Sequence, residues 1–135
     1  MMKVLADTSV WIEFYHPRGS SAVKQALREA LESHEVAVVA PIIGELLVGA
    51  KDERTLKRLQ EDMGALSILP LGGEEGMTAG VLGGALARAG RRVPMVDLLV
   101  AAAAHGHGFE VWHYGDEHYA LIASSGGPPQ RNLKG

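Results

Sequence analysis

The sequence predicts an α/β fold with a central, mainly parallel sheet flanked by helices. Short apolar runs of strand type alternate with segments whose apolar residues recur at helical spacing along most of the chain. This alternation favours parallel strands connected by helices that pack on the sheet. The length of 135 residues suits one domain with one hydrophobic core, and the chain contains no internal repeat or linker.

The predicted strands are short apolar or β-branched runs that end at polar or turn-forming residues. The first run, Val4 to Ala6, is followed directly by a carboxylate, Asp7. The third run ends at Gly72 and Gly73. The predicted strands cover residues 3–6, 36–40, 67–71 and 109–113.

The predicted helices are segments in which apolar residues lie three and four positions apart. Pro41 begins the third helix, since proline is favoured in a first turn. Residues 74–89 contain several glycines, each of which costs about 1 kcal/mol relative to alanine in a helix interior. We therefore expect this helix to pack closely against a neighbour. The other predicted helices cover residues 8–14, 22–31, 53–65, 95–104 and 117–123.

The composition and the C-terminal segment restrict which kinds of protein this sequence can encode. We expect a single domain over residues 1–124 and a flexible C-terminal tail over residues 125–135, because that tail is rich in glycine, proline and polar residues. The chain has no cysteine, which excludes disulfides, thiol catalysis and zinc–thiolate sites. No apolar run reaches the roughly 18 residues of a membrane-spanning helix, and no signal-peptide pattern is present. We therefore expect a cytoplasmic protein without a membrane segment.

The net charge of −3 provides no overall basic field, so any contact with nucleic acid must be local. Arg91 and Arg92 precede Asp97 by a few residues and are expected near it. Phosphate contact is one role for this pair, and a solvated loop is the commoner one. A second basic group, for which ordinary solubility is the favoured interpretation, comprises Lys51, Arg54, Lys57 and Arg58.

Acidic residues at the carboxyl ends of strands are candidates for a metal site. Asp7 follows the first strand and Asp116 lies in the turn after the last one. In open α/β sheets, ligands bind at this edge. Each acid also has a simpler role when it is considered alone. Asp7 can cap a helix, Asp116 can form a turn, and Glu45 can be a surface residue because it lies away from the apolar stripe of its helix.

Asp97 is the acid whose surroundings are most unusual. Apolar residues surround it in the sequence, and it is the only charge between Arg92 and Glu110 if the histidines are neutral. A buried carboxylate is costly without a partner or a metal, although capping a helix would offset part of that cost. Carboxylate oxygens are the ligands that Mg²⁺ and Mn²⁺ prefer, and such a metal can activate water to attack a phosphodiester. The repeated placement of acids at strand–helix junctions therefore predicts a site for one of these cations.

Four motifs, in this order, resemble the PIN domain, and the subgroup they resemble most is the VapC-type toxins of prokaryotic toxin–antitoxin pairs. The resemblance covers about residues 3–123. The motifs are residues 7–12 (DTSVWI), 43–46 (IGEL), 96–103 (VDLLVAAA) and 114–119 (YGDEHY).

The resemblance implies a three-layer PIN-like fold and a Mg²⁺- or Mn²⁺-dependent endoribonuclease that uses a metal-activated water. It maps the metal-binding acids of the family onto four positions, Asp7, Glu45, Asp97 and Asp116. The small hydroxyl residue of the family matches Thr8 or Ser9, and Thr8 is taken with the four acids as the expected catalytic set.

The resemblance also implies an RNA substrate, a homodimer, and an antitoxin whose C-terminal segment covers the active site. A helix with Gly76, Gly80 and Gly84 on one side also favours a dimer contact. One position departs from the family. His118 stands where a second polar or acidic residue is usual. This leaves open whether a fifth acid is missing or is not needed.

Other functions are compatible with parts of the sequence. A PIN-like fold can serve as a non-catalytic RNA-binding or assembly subunit, although an intact set of acids disfavours this. A metal phosphohydrolase acting on small phosphoesters is a further alternative, because a fold does not determine a substrate. A site built from histidines is disfavoured because their spacing matches no ligand pattern. The histidines considered are His105, His107, His113 and His118.

Overall fold

The structure is a computed structural model that describes residues 1–135. Five strands form one sheet in the order β3-β2-β1-β4-β5, and every neighbouring pair is parallel. This confirms the predicted α/β class. The elements along the chain are β1 (Lys3–Ala6), α1 (Thr8–Tyr15), α2 (Ser21–Ser33), β2 (Glu35–Val38), α3 (Ala40–Val48), α4 (Glu53–Gly64), β3 (Ser67–Ile68), α5 (Gly73–Arg88), α6 (Met95–His107), β4 (Glu110–His113), α7 (His118–Ser124) and β5 (Gln130–Asn132).

Strand β1 lies at the centre of the sheet and is buried on both faces, with Val4, Leu5 and Ala6 fully inaccessible to solvent. Such near-continuous apolar strands are typical of parallel sheets covered by helices. The chain first extends the sheet from β1 to β2 and β3, and later from β1 to β4 and β5 on the other side. The strand order therefore reverses between β1 and β4. A crevice for ligands forms at the carboxyl ends of strands at such a reversal.

All predicted strands and helices are present, and their ends differ by a few residues for identifiable reasons. β3 stops at Ile68, although an apolar run to Leu71 was predicted. Pro70 has no N–H group and cannot continue the ladder. α6 extends to His107 and ends at Gly108, whose φ of 75° is the left-handed conformation common after helices. None of the helices is long and apolar enough to cross a membrane.

The C-terminal segment, expected to be a flexible tail over residues 125–135, contains the strand β5. Val111 of β4 pairs with Gln130, and His113 pairs with Asn132. The backbone N–H of Leu133 continues the ladder by donating to the carbonyl of His113 at 2.8 Å. The tail is polar because β5 is an exposed edge strand, so its order comes from backbone pairing and not from an apolar pattern.

The glycine-rich helix α5 packs against α6, and one glycine makes the close approach possible. A Cβ at Gly83 would lie 2.5 Å from Cδ1 of the buried Leu98. Gly76 and Gly80 are different, because a Cβ at either position would meet no atom within 4 Å. The close packing expected of α5 is therefore made inside the chain at Gly83, while Gly76 and Gly80 leave an open surface.

Because a Cβ would meet another side chain at Gly83 but not at Gly80, replacement by alanine should change the stability differently at the two positions. Gly80→Ala should raise the free energy of unfolding by about 0.5–1 kcal/mol, since alanine is favoured over glycine in a helix and the new methyl group meets nothing. Gly83→Ala should be clearly less stable than Gly80→Ala because of its contact with Leu98. Urea unfolding of both variants measures the difference. Equal stabilisation would contradict close packing of α5 on α6.

Candidate metal centre

Three side chains of types that can ligate a metal converge beside the reversal point of the sheet. Asp97 comes from the first turn of α6, Asp116 from the loop after β4, and His118 from the start of α7. Nδ1 of His118 lies 3.0 Å from Oδ2 of Asp97 and 3.0 Å from Oδ1 of Asp116. One ligand atom from each residue lies within 4.8 Å of the others, and all three residues are partly buried. This arrangement has the donor types and the spacing of a cation site.

Asp7 adjoins this cluster and is fixed by hydroxyl groups. Its Oδ1 accepts a hydrogen bond of 2.9 Å from the Tyr119 hydroxyl, and its Oδ2 accepts one of 2.9 Å from the Ser9 hydroxyl. Asp7 is also the N-cap of α1, because Oδ2 accepts from the backbone N–H of Ser9. The capping role predicted as the simpler alternative is therefore real. It uses Oδ2, and the charge of Asp7 still acts on Asp97.

Glu45 is the predicted ligand that lies outside the tight group. It is exposed on α3, as its position away from the apolar stripe suggests. Its Oε1 accepts a hydrogen bond of 2.9 Å from the Thr8 hydroxyl, and Thr8 directly follows Asp7. The structure therefore connects Glu45 to the carboxyl end of β1 through Thr8. The role of the five predicted site residues as ligands or catalytic groups stays a prediction.

The electrostatics of the cluster are unfavourable without a cation. Burial, followed by the negative charges of Asp116 and Asp7, together raise the pKa of Asp97 from 3.8 to about 7, against the hydrogen bond from His118. Burial and the charge of Asp7 also raise the pKa of the Tyr119 hydroxyl. Tyr119 therefore remains a proton donor to Asp7 at physiological pH. A bound divalent cation would relieve the repulsion among these carboxylates.

His113 supports the turn that carries Asp116, a role the sequence did not reveal. This side chain is 2% exposed, and its Nδ1 accepts a hydrogen bond of 3.1 Å from the backbone N–H of Asp116. Since Nδ1 accepts, the proton resides on Nε2, which donates to Oε1 of Gln130 at 2.5 Å. Its ring also lies against Tyr119, with centroids 5.3 Å apart. Strand β5 thus reaches the candidate site through His113.

Sequence reasoning also missed Tyr119 and the second role of Ser9. The Ser9 hydroxyl accepts a hydrogen bond of 3.0 Å from the backbone N–H of Tyr114 while donating to Asp7. It therefore ties the end of β1 to the loop after β4. The adjacent hydroxyl residues after Asp7 were the available signal for Ser9. Tyr119 ends the fourth motif, but its hydrogen bond to Asp7 had no local signal, because that partner is 112 positions away in the sequence.

The two arginines expected near the site face different clefts. Arg91 lines a cleft of about 710 Å³ together with Glu117, the residue after Asp116. Arg92 lines a separate cleft of about 280 Å³ between α5 and α6. Both arginines are exposed. Each cleft contains a residue next to the cluster in the sequence, Glu117 beside Asp116 in the first and Leu98 beside Asp97 in the second.

The fold and the cluster define an α/β protein that presents carboxylates at the reversal point of a parallel sheet, an arrangement suited to a divalent cation. The chain belongs to the PIN domain family, whose sequence profile matches residues 4–124. This confirms the resemblance inferred from the motifs.

Two relatives and two solved structures illustrate the likeness. Ribonuclease VapC18 of Mycobacterium tuberculosis is 30% identical over 132 residues, which cover 95% of this chain and 93% of that protein. Ribonuclease VapC11 of the same species is 34% identical over 130 residues, covering 89% and 91%. VapBC-1 from nontypeable Haemophilus influenzae aligns with a TM-score of 0.80 at 14% identity, covering 99% of this chain and 100% of that one. VapBC2 from Rickettsia felis, bound to a promoter DNA fragment, gives 0.79 at 17% identity and covers 97% and 98%. At identities this low, the two structures show that the fold is similar and nothing further about this chain.

The crowded carboxylates predict an unusual effect of pH on the metal-free protein. A folded-state pKa of about 7 for Asp97, against 3.8 as its ordinary value, means that the native state binds the extra proton. Stability in EDTA should therefore fall as pH rises from about 4 through about 7. Asp116→Asn removes one of the repelling charges and should melt higher than wild type at pH 8, with a shallower pH dependence.

Thermal melting in EDTA measures this effect, and Glu117→Gln is the matched control because it removes an exposed acid next to Asp116 but outside the cluster. The control should melt close to wild type. If Asp116→Asn melts lower than the control at pH 8, Asp116 is an ordinary turn residue and the carboxylates do not repel one another there.

Proposed function

We propose that this protein is a metal-dependent endoribonuclease that cleaves RNA phosphodiesters as the toxin of a toxin–antitoxin pair. The observation that carries the proposal is the convergence of Asp7, Asp97 and Asp116 at the reversal point of the sheet in a PIN domain chain. Relatives 30% and 34% identical over nearly their whole length bear the name ribonuclease, which supports the same activity here.

The residues of the site fit Mg²⁺ or Mn²⁺. The donor set is mainly carboxylate oxygen, which these cations prefer, and no lysine or arginine forms a salt bridge with Asp7, Asp97 or Asp116. We assign these three residues and Glu45 as the groups that would hold the metal. When bound, the cation supplies an activated water and charge neutralisation for attack on a phosphodiester.

Hydrogen bonds within the protein orient the proposed metal ligands. Ser9 and Tyr119 donate to the two oxygens of Asp7, so the carboxylate cannot rotate without losing a hydrogen bond. The Thr8 hydroxyl turns Glu45 towards the sheet edge. Asp116 is held at its backbone N–H by His113. Ligands that are fixed in advance lose little conformational freedom when a metal and substrate bind, which favours catalysis.

Basic residues on two sides of the cluster are the proposed contacts for RNA phosphates. Arg91 shares a cleft with Glu117 on one side. On the other side, a cleft of about 520 Å³ contains Glu45 together with Lys51 and Arg58, which belong to the basic group for which solubility was favoured. Local positive charge of this kind can bind phosphate although the net charge is −3. The proposal includes a cytoplasmic location. It also includes an antitoxin that inhibits the enzyme, since proteins of similar fold include a toxin–antitoxin complex and a member of the VapBC family of toxin–antitoxin systems.

Asp97→Asn provides the direct test of the activity. The substitution is nearly isosteric and removes the charge of a proposed ligand. It should lower the rate of RNA cleavage at saturating Mn²⁺ by about 100-fold or more, the scale of losing a key electrostatic group. Circular dichroism and thermal melting should show an intact fold. Glu117→Gln, which removes an exposed charge nearby, should cleave RNA like wild type. Full activity of Asp97→Asn would contradict the proposed ligand set.

We also propose that two copies associate through the exposed apolar side of α5. Met77 is 77% exposed and Val81 is 72% exposed, and residues four positions apart lie on the same face of a helix. Exposed apolar groups of this kind on a small chain favour an interface. The open surface at Gly76 and Gly80 lies on the same helix.

Light scattering at micromolar concentration tests the association. Wild type should have about twice the 14.3 kDa mass of one chain. Val81→Glu should shift the population to the single-chain mass because a charge would be buried at the contact. Val48→Glu is a matched control, since Val48 is also exposed but lies on α3. A wild-type protein that is monomeric at this concentration would contradict the dimer.

A further inference from the structure

The imidazole of His118 occupies a corner of the cluster where the family usually places a polar or acidic side chain. Its Nδ1 is 3.0 Å from a carboxylate oxygen of Asp97 and 3.0 Å from one of Asp116. The backbone N–H of His118 donates to Oδ1 of Asp116 at 2.9 Å, which fixes the start of α7 against the turn. The position of the ring is therefore set by the same turn that carries Asp116.

These separations match neighbouring ligands around one cation. For metal–ligand distances of about 2.1 Å, adjacent corners of an octahedron are about 3.0 Å apart. Both nitrogen–oxygen distances have this value. The distance from Nδ1 to each carboxylate oxygen is therefore the distance expected between two ligands of one metal ion.

The surroundings of the second ring nitrogen, Nε2, suit this role. The side chain is 30% exposed, and Nε2 has no acceptor within the protein, so solvent can accept its proton. When an imidazole is protonated on Nε2 alone, its lone pair is on Nδ1, and neutral imidazole is the form that binds metals. Coordination through Nδ1 therefore replaces the contact of Nδ1 with Asp97 and breaks no hydrogen bond from Nε2.

We propose that His118 is a metal ligand through Nδ1 and that it biases this centre towards first-row transition-metal dications such as Mn²⁺ over Mg²⁺. An imidazole nitrogen is a borderline ligand that transition metals favour, whereas Mg²⁺ favours oxygen alone. The inference rests on the proposed function, since it concerns the same metal centre. It adds a nitrogen ligand and an order of metal preference that the set of acids does not imply.

The competing role for His118 is an ion pair, in which a protonated ring donates to the two carboxylates and leaves when a cation enters. The same 3.0 Å distances suit such hydrogen bonds. The two roles differ in what surrounds the bound metal. A ligand puts a nitrogen nucleus next to the metal, and an ion pair does not.

Electron spin-echo spectroscopy of Mn²⁺ bound to the full chain, without RNA, distinguishes the roles. Wild type should show modulation from a directly bound ¹⁴N nucleus. His118→Asn and His118→Asp should lose the modulation. His105→Asn should keep it, since His105 is an exposed histidine near the far end of α6.

Calorimetry provides the second readout, the ratio of the Mn²⁺ affinity to the Mg²⁺ affinity. His118→Asp replaces the nitrogen donor with a carboxylate oxygen. It should lower this affinity ratio by about tenfold, the lower end of the loss of metal affinity that follows the mutation of a supporting residue. His105→Asn should leave the ratio unchanged. Melting curves of the variants with and without Mn²⁺ confirm that each is folded.

Nitrogen modulation in wild type that is lost in both His118 variants supports the proposal. Absence of modulation in wild type, its survival in His118→Asn, or an unchanged affinity ratio in His118→Asp overturns it. If Mn²⁺ binds without a nitrogen ligand and RNA is still cleaved, only this proposal fails. If neither Mn²⁺ nor Mg²⁺ binds wild type at all, the proposed function fails with it.

Discussion

The repulsion among carboxylates at the carboxyl ends of β1 and β4 is the constraint on which the rest of the site depends. Asp7, Asp97 and Asp116 come from three separate parts of the chain, and no lysine or arginine pairs with them. Burial raises the pKa of Asp97, and the charges of Asp116 and Asp7 act in the same direction. Charges that are held together against repulsion attract a cation strongly, so an arrangement that destabilises the empty protein favours metal binding.

A network of hydrogen bonds holds the acids against this repulsion. Ser9 joins Asp7 to the loop after β4, and Tyr119 joins Asp7 to α7. His113 then connects the Asp116 turn to Gln130 of β5. The last strand of the sheet therefore contributes to the site although it carries no proposed ligand. A strand at the edge of the sheet is therefore part of the support for the candidate metal centre.

Local patterns predicted most of the fold, because apolar periodicity and strand-ending acids are local properties. Asp7, Asp97 and Asp116 were expected at one edge, and the structure places them together at the reversal between β1 and β4. What the sequence missed depends on distant partners. β5 is polar, and its order comes from pairing with β4, so no apolar pattern marked it. The support from His113 likewise depends on Gln130, which lies 17 positions away in a segment expected to be flexible.

The most direct test of the account is the location of bound metal in crystals of the protein grown with Mn²⁺. Anomalous scattering from manganese identifies the ion without assumptions about its ligands. The account predicts a strong anomalous peak between Asp97 and Asp116, on the side that faces Asp7. A peak elsewhere on the surface, or no peak at millimolar Mn²⁺ with these carboxylates well ordered, would contradict the claim that the fold is organised around a cation site.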